Sequence, residues 1–429
     1  MKEVLVLGAG LVSRPLVRYL LIEAGFAVTV ASRSVDKARS IIGSHRNGRS
    51  VSFDITKDEG LNSLVKEHDL VISLLPYTHH TKVAVSAIEN GKPMVTTSYV
   101  SDDMKMLDVP AKDAGVILLN EIGLDPGIDH MEAQRVIDDV HGKGGKVEEF
   151  ISYCGGLPAP EANTNPWGYK FSWSPRGVVL ASRNAARFKR NGEIVEVPGR
   201  KLFADYELID VEGLGTFEGY PNRDSVPYGD IYGIPDAKTV LRGTLRNRGW
   251  CDTWKGLHDI GILEEKAPQS EDYYTMMDQL VSGKGQLKER LRERIDTRDN
   301  DLVIRNFEWL GLLSDKELLE ISSTMDALSA LLQIKLTYEP GERDMIILKH
   351  TFNVSMPEGR TTLYSTMIDY GIPNGDSAMS RTVGLPAAIG AEMILKGELK
   401  KLSGVVIPTL PGIYKSALKK LKKQGIKFI

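Results

Sequence analysis

Cysteine is almost missing: Cys154 and Cys251 are the only two in 429 residues. Two thiols make no disulfide framework and lack the spacing of a metal knuckle, so the expected compartment is a reducing one, the cytoplasm, and no metal site is expected. A surplus of one charge is missing too, since 54 Lys and Arg face 57 Asp and Glu for a net charge of −3. No basic block is longer than a helix end, which argues against a polyanion-binding surface and hence against nucleic acid as a partner. Lys419-Lys420-Leu421-Lys422-Lys423 reads as lysines complementing a helix C-terminus in water, with acidic lipid or nucleic acid as the alternative. No stretch reaches the roughly 18 to 20 apolar residues needed to span a bilayer, so no membrane segment is expected. The apolar run at residues 4–7 stops at Gly8-Ala9-Gly10 and is followed by an amphipathic pattern with Arg14 and Arg18, so it reads as a buried strand and not as a signal peptide. Repeats and low-complexity tracts are absent. What remains is an ordinary globular composition, 42% hydrophobic, and a length that suits two or three domains at roughly 150 residues each.

Strand-like and helix-like segments alternate over residues 1–120. Glu3-Val4-Leu5-Val6-Leu7 is followed by a helix pattern at 13–24, a strand at 27–31 and a helix at 35–42. Further short apolar runs lie at 51–53, 70–75, 93–97 and 115–119, with a helical stretch at 80–90. Such alternation predicts an α/β fold built on a Rossmann-type, doubly wound parallel sheet. After Gly142-Lys143-Gly144-Gly145 the pattern lengthens into an alternating strand at 146–154, then a Pro/Gly/Asn-rich passage. Segments at 177–182, 193–197 and 217–220 read as strands of a second, α+β domain with a mixed or antiparallel sheet, resumed at 345–352 and 361–367. The expected boundaries are 1–129 for the first domain, joined by 375–400, and 130–254 with 341–374 for the second. Residues 255–340 are expected as a helical insertion. Met379 to Ala391, rich in glycine and alanine, reads as a helix packed closely on another element, the first domain included.

Gly8-Ala9-Gly10-Leu11-Val12-Ser13 joins the first strand to the first helix. Here Gly8 permits the tight turn, and Gly10 lets a pyrophosphate reach the backbone at the helix N-terminus. There unpaired N–H groups and the helix dipole favour an anion. Ser13 takes the third glycine's place and is still small enough for close packing. A dinucleotide cofactor follows, with Gly8, Gly10, Leu11, Val12 and Ser13 as its phosphate loop; a mere packing turn is the alternative. At the end of the second strand, where Asp or Glu holds the ribose diol of NAD, the chain has Ser32-Arg33-Ser34. A guanidinium flanked by hydroxyls suits a 2′-phosphate, so the expected cofactor is NADP(H), against a solvent-facing Arg33. Asp54 and Ile55, after the third strand, are placed near the adenine by topology.

Leu75, ending the fourth strand, and Thr97-Ser98-Tyr99, ending the next, lie at the carboxyl edge where open α/β sheets bind ligands. Gly123-Leu124-Asp125-Pro126-Gly127-Ile128-Asp129-His130 then sets a fixed turn before a helix beginning at Asp129. On this pattern Asp125 is a turn former or a site residue, Asp129 an N-cap, and His130 a packed histidine or a proton shuttle. His79-His80 heads a helix without partners at metal spacing, which reads as capping or exposure. Trp167, Trp173, Trp250 and Trp254 read as aromatic core.

Six segments in order carry a resemblance: Gly8-Ala9-Gly10, Ser73-Leu74-Leu75-Pro76, Thr97-Ser98-Tyr99, residues 123–130, Cys154-Gly155-Gly156-Leu157-Pro158 and Leu241-Arg242-Gly243-Thr244-Leu245-Arg246. Together they resemble the saccharopine dehydrogenase/reductase family, specifically its glutamate-forming, NADP-linked branch, across essentially the whole chain. The resemblance implies condensation of glutamate with 2-aminoadipate 6-semialdehyde and NADPH-dependent reduction of the imine to saccharopine, reversibly. It also implies lysine biosynthesis, a homodimer, and a tricarboxylate substrate met by arginine forks. It places Ser98, Tyr99, Asp125, Arg223, Thr244, Leu245 and Arg246 at the substrate. Leu124, Asp125, Pro126, Thr97, Ser98 and Ser174 fall on the nicotinamide side, and Asp125 and Tyr99 are candidates for proton transfer. Interdomain salt bridges are the alternative for Arg223 and Arg246. A stand-alone chain of this length suggests the biosynthetic arrangement. Three other readings stay open: a carboxyspermidine-type dehydrogenase, which would want acidic residues where this chain has arginines, an NADP sensor without turnover, and a scaffold.

Overall fold

The computed structural model describes residues 1–57, 60–320 and 322–429. The chain forms two compact units, residues 1–145 with 367–429, and residues 146–366.

In the first unit β1 (Glu3–Leu7), β2 (Ala27–Ser32), β3 (Gly48–Ser52), β4 (Leu70–Ser73), β5 (Met94–Thr96) and β6 (Ile117–Leu119) combine with a C-terminal strand, Gly404–Val406, into a seven-stranded sheet. The order is C-terminal strand, β6, β5, β4, β1, β2, β3, and every pair is parallel. Val4, Leu5, Val6 and Leu7 of β1 are all wholly buried, as a central strand covered on both faces requires. Strand order reverses between β1 and β4, so the crevice for a ligand opens at the carboxyl ends of these two strands. The expected first helix is an α-helix, Ser13–Arg18, continued by a π-helical turn, Tyr19–Glu23.

The division of the chain differs from the expected one at both ends. Residues 130–145 stay with the first unit because the helix Ile128–Gly142 packs on the C-terminal helix Pro411–Lys423, with the Tyr414 hydroxyl donating to Asp138 Oδ2 at 2.5 Å. Residues 401–429 also belong there, since Gly404–Val406 extends the sheet at β6. The unit begins again at Met367, which bridges to Phe428, and Arg381 binds Asp369 through two nitrogens at 3.1 and 3.3 Å.

In the second unit β7 (Lys146–Pro158), β8 (Ala186–Arg190), β9 (Glu193–Val197), β10 (Glu207–Val211), β11 (Gly215–Pro221), β12 (Thr239–Arg246), β13 (Asp344–Met356) and β14 (Gly359–Tyr370) form an eight-stranded sheet. It is mixed: β12 runs parallel to β7, while β13 pairs with β7 and β11 with β12 antiparallel. Residues 177–182, expected as strand, are helical instead, in Pro175–Ala181. Pro175 sits at the first helical position and the Ser174 hydroxyl caps the helix by accepting from Gly177 N at 3.2 Å, a start signal that outweighs the alternating pattern. The expected insertion at 255–340 does contain most of a helical block, which starts earlier, at Trp250, and includes Trp250–Ile260, Asn300–Leu310 and Thr324–Lys335. It is no separate body. Trp254, Leu257, Phe307 and Leu328 share one apolar core with Trp167, Phe203 and Tyr220 from the rest of the unit.

Candidate active site

The phosphate loop comes first because its shape follows from two glycines. Gly8 has a φ of +111°, and a Cβ there would lie 3.0 Å from the Leu74 carbonyl oxygen, so the loop rests directly on the end of β4. Any side chain would part the two strand ends. A Cβ on Gly10 would meet nothing within 4 Å, leaving an exposed backbone that a pyrophosphate can approach. Ser13 is wholly buried and donates its hydroxyl to Gly10 O at 2.7 Å, fixing the turn into the helix as the missing glycine would have done by packing. Leu11 is exposed and Val12 half-buried.

The helix Ala378–Leu395 supports this loop from below. A Cβ on Gly384 would stand 2.6 Å from the Val12 carbonyl oxygen, and one on Gly390 would stand 2.8 Å from Ile122 Cδ1. The close packing read from the glycines and alanines of 379–391 is therefore directed at the loop through Gly384 and at the end of β6 through Gly390. Arg14, one residue past the loop, pairs with Asp376 at 3.3 Å.

At the end of β2, Ser32 and Ser34 are half-buried and Arg33 is exposed. The Ser34 amide donates to Ser32 Oγ at 3.3 Å, holding the turn that presents Arg33. Asp54 accepts from the Thr56 amide and hydroxyl at 3.1 and 2.8 Å; these bonds, helped by the charge of Arg33, hold its carboxyl below the ordinary value. Ile55 is buried. This donor set fits a dinucleotide carrying a 2′-phosphate: open backbone at Gly10, hydroxyls at the strand end and an exposed cation at the rim.

Ser98, Tyr99 and Asp125 are brought together. The Tyr99 hydroxyl donates to Asp125 Oδ1 at 2.9 Å. Asp125 precedes a cis Pro126, and Gly123 closes the turn by donating to Pro126 O at 2.9 Å. Thr97 lies against the same turn, 3.1 Å from where a Gly123 Cβ would be. Leu124 and Pro126 are buried, while Leu75, Thr97, Ser98, Tyr99 and Asp125 are half-buried. Asp129, expected as an N-cap, reaches backwards instead: its Oδ1 accepts from Gly127 N at 2.6 Å and so locks the turn.

Two residues around this loop, Glu121 and His80, escaped prediction in their actual role, and a third, His130, takes one of its two expected readings. Glu121 has a φ of +54°, an uncommon conformation for a residue with a side chain. Its amide donates to Ser98 O at 3.1 Å and its carboxylate accepts from Val100 N at 2.9 Å, so it grips the Ser98–Val100 backbone on both sides. His130, fully buried, meets Glu121 Oε2 through Nε2 at 2.8 Å, the packed alternative for this residue. His80 is neither a cap nor exposed: it is buried, with Nδ1 2.8 Å from Ser73 Oγ and Nε2 2.8 Å from Ser98 Oγ and 3.2 Å from Thr96 Oγ1. Burial pushes its pKa down to about 4, so the ring is neutral at physiological pH. The available signal was position: a histidine opening a helix directly after a strand that ends in serine. Among the described residues no group of three His, Cys, Asp or Glu side chains is placed to hold a metal, and no helix is long and apolar enough to cross a membrane.

The second unit, taken by itself, holds an unusual cation. Arg246, at the end of β12, is only 7% exposed and its Nε is buried without a partner. One terminal nitrogen donates to Leu245 O at 2.8 Å, and the guanidinium lies 5.1 and 5.3 Å from the ring centres of Tyr169 and Trp250. Burial pushes Tyr220 up to about 12, so that phenol is neutral at physiological pH and does not compensate the charge. A buried guanidinium held by ring faces is suited to receive an anion. Leu245 is wholly buried and Thr244 half-buried; a Cβ on Gly155 would lie 2.9 Å from the Leu245 carbonyl oxygen, so β7 can approach β12 only with glycine there. Arg223 is exposed and has a φ of +54° in the turn after β11, where its carbonyl accepts from Arg187 N at 2.8 Å. Ser174 is exposed and uses its hydroxyl as the helix cap. Trp167, Trp250 and Trp254 are core residues, and Trp173 packs against that core.

Comparison with known proteins covers both units. Residues 4–119 match the saccharopine dehydrogenase NADP binding domain, and residues 123–426 the saccharopine dehydrogenase C-terminal domain. The chain is 41% identical over 441 residues to saccharopine dehydrogenase [NADP(+), L-glutamate-forming] of Pyricularia oryzae, covering 99% of this chain and 98% of that protein. It is 40% identical to the mitochondrial alpha-aminoadipic semialdehyde synthase of Bos taurus, over 100% of this chain and 47% of that protein. Among solved structures, apo saccharopine dehydrogenase (L-Glu forming) from Saccharomyces cerevisiae superposes with a TM-score of 0.92 at 39% identity, over 100% of this chain and 99% of that one.

Proposed function

The chain belongs to the saccharopine dehydrogenase family, and from that premise we propose that it reduces the imine of L-glutamate and 2-aminoadipate 6-semialdehyde to saccharopine with NADPH, and runs the reverse oxidation with NADP. The observation that carries this reading is the match that runs end to end through both units. The buried, uncompensated Arg246 supports it, because saccharopine presents three carboxylates. The reaction belongs to lysine formation through aminoadipate.

Gly8, Gly10, Leu11, Val12 and Ser13 hold the pyrophosphate of the cofactor, and Ser32, Arg33 and Ser34 its 2′-phosphate, with Asp54 and Ile55 toward the adenine. Leu75, Thr97, Leu124, Pro126 and Ser174 border the nicotinamide, which supplies the hydride when bound. Arg246 and Arg223 take substrate carboxylates, while Thr244 and the Leu245 backbone position the same groups. Ser98 gives a hydroxyl to the substrate. Tyr99 holds Asp125 through the 2.9 Å bond, and Asp125 exchanges a proton with the substrate nitrogen as the imine forms or is hydrolysed. The reading also includes a cytoplasmic location, supported by two buried cysteines that form no disulfide, and a homodimer, which light scattering would measure directly.

The test is NADPH oxidation with glutamate and aminoadipate semialdehyde together, beside each alone and beside NADH. Strict dependence on both substrates with NADPH preferred is expected; cofactor binding without consumption would sink the assignment. Asp125→Asn separates two roles. Loss of turnover supports proton exchange, whereas normal turnover with weaker binding leaves Asp125 as an amine ligand only.

A further inference from the structure

His80 has no part in the scheme above, yet it is a buried titratable side chain at the carboxyl edge of the parallel sheet, bonded to three hydroxyls. Its imidazole joins the ends of two neighbouring strands: Ser73 closes β4 and faces Nδ1, while Thr96 closes β5 and faces Nε2 together with Ser98. Of these three hydroxyls, Ser73 and Thr96 are buried; only Ser98 is open enough to meet a ligand. We infer that His80 is a positioning residue that fixes the Ser98 hydroxyl for the substrate and links it to Ser73 across the strand ends.

The chemistry of the ring gives this arrangement a direction. A neutral imidazole has one N–H donor and one acceptor nitrogen. Ser73 and Ser98, on opposite nitrogens, are therefore bonded in opposite senses: one gives its proton to the ring and the other receives one. Removing either the ring or the remote Ser73 hydroxyl leaves Ser98 free to rotate. The buried charge that would spoil this order is suppressed, since desolvation keeps the ring neutral. The backbone beneath Ser98 is fixed separately by Glu121, so the hydroxyl is the one remaining degree of freedom.

The inference rests on the saccharopine reading for the ligand that Ser98 meets, and the experiment keeps the two apart. Ser98→Ala, His80→Gln and the double variant are compared by kcat/KM for saccharopine oxidation and by Tm. Each single change is expected to cost about tenfold, the worth of one hydrogen bond, and the double change no more than Ser98→Ala alone. Losses that multiply would overturn the inference, because His80 would then act on something other than Ser98. Ser73→Ala, a smaller change that keeps the ring, should cost less but should likewise vanish in the Ser98→Ala background. The ¹⁵N resonances of the His80 ring, read in the ligand-free protein, give a measure that needs no turnover. Ser98→Ala should shift Nε2 and leave Nδ1 nearly still, and an unmoved Nε2 would overturn the coupling. Should the wild-type protein fail to oxidise saccharopine, the proposed function falls while the ring resonances still decide the role of His80.

Discussion

The two units present arginine in opposite ways. Arg33, at the rim of the first unit, is exposed at a strand end whose turn is held by serines. Arg246, in the second, is buried between ring faces with one nitrogen unbonded. An exposed guanidinium keeps its water and costs the fold little, so it can discriminate between ligands without being essential to them. A buried one has lost its water already and gains it back only from an anion, so the second arrangement gives up stability for binding. Lys170, also in the second unit, shows the structural alternative: it is buried but paired with Glu342 at 2.6 Å and bonded to Thr164 at 3.1 Å.

Arg246→Met tests the comparison hardest. Removing the uncompensated charge should leave stability unchanged or higher, while kcat/KM for saccharopine falls by roughly a hundredfold, the equivalent of about 3 kcal/mol. Steady-state kinetics and thermal unfolding read the two halves, and a large fall in Tm would show that the arginine is structural. Arg33→Ala should be milder. The preference for NADPH over NADH is expected to drop by about tenfold or somewhat more, with NADH turnover unaltered, as a ratio of kcat/KM values would show. Equal losses with both cofactors would remove Arg33 from the 2′-phosphate.

The smallest effect belongs to the paired cation. Burial pushes the Glu342 carboxyl up, but its bonds to Lys170 and to the Glu339 amide pull it further down, so its folded pKa lies below the ordinary value. The stability it adds is present above the unfolded pKa of about 4.3 and is lost as pH falls through the folded value. Glu342→Gln should thus cost about 1 kcal/mol near neutrality, and the gap from wild type should close below roughly pH 4 in urea titrations. A gap independent of pH would mean that shape, not charge, holds this contact.

Local signals made the first unit readable. A glycine loop between a strand and a helix, and strand ends carrying hydroxyls, are encoded within a few residues, and Glu3–Leu7 and Val35–Ile42 fall where the pattern placed them. Gly384 and Gly390 advertised close packing, though only the fold shows that Val12 and Ile122 are the neighbours. The strand Gly404–Val406 is too short to show a period, and the helix Pro175–Ala181 was hidden because alternation and helical spacing are hard to separate over so few residues. Arg246 could be nominated only by family resemblance. Its significance depends on Tyr169 and Trp250, which lie near it through packing and not through adjacent sequence. His80 was misread for the same reason: Ser73 and Thr96 meet it from two different strands, and Ser98 from the bend after the second.

The C-terminal strand gives the chain an order of assembly. During synthesis β6 leaves the ribosome with a bare edge, and the segment that will cover it, Gly404–Val406, is made some 285 residues later. The loop at Gly8 likewise emerges well before its supporting helix, Ala378–Leu395. The second unit is one continuous stretch, residues 146–366, and is free to fold while translation continues. A nascent chain therefore carries an unfinished nucleotide-binding sheet past a finished neighbour, and a stop codon shortly before residue 404 would leave that edge open to other chains.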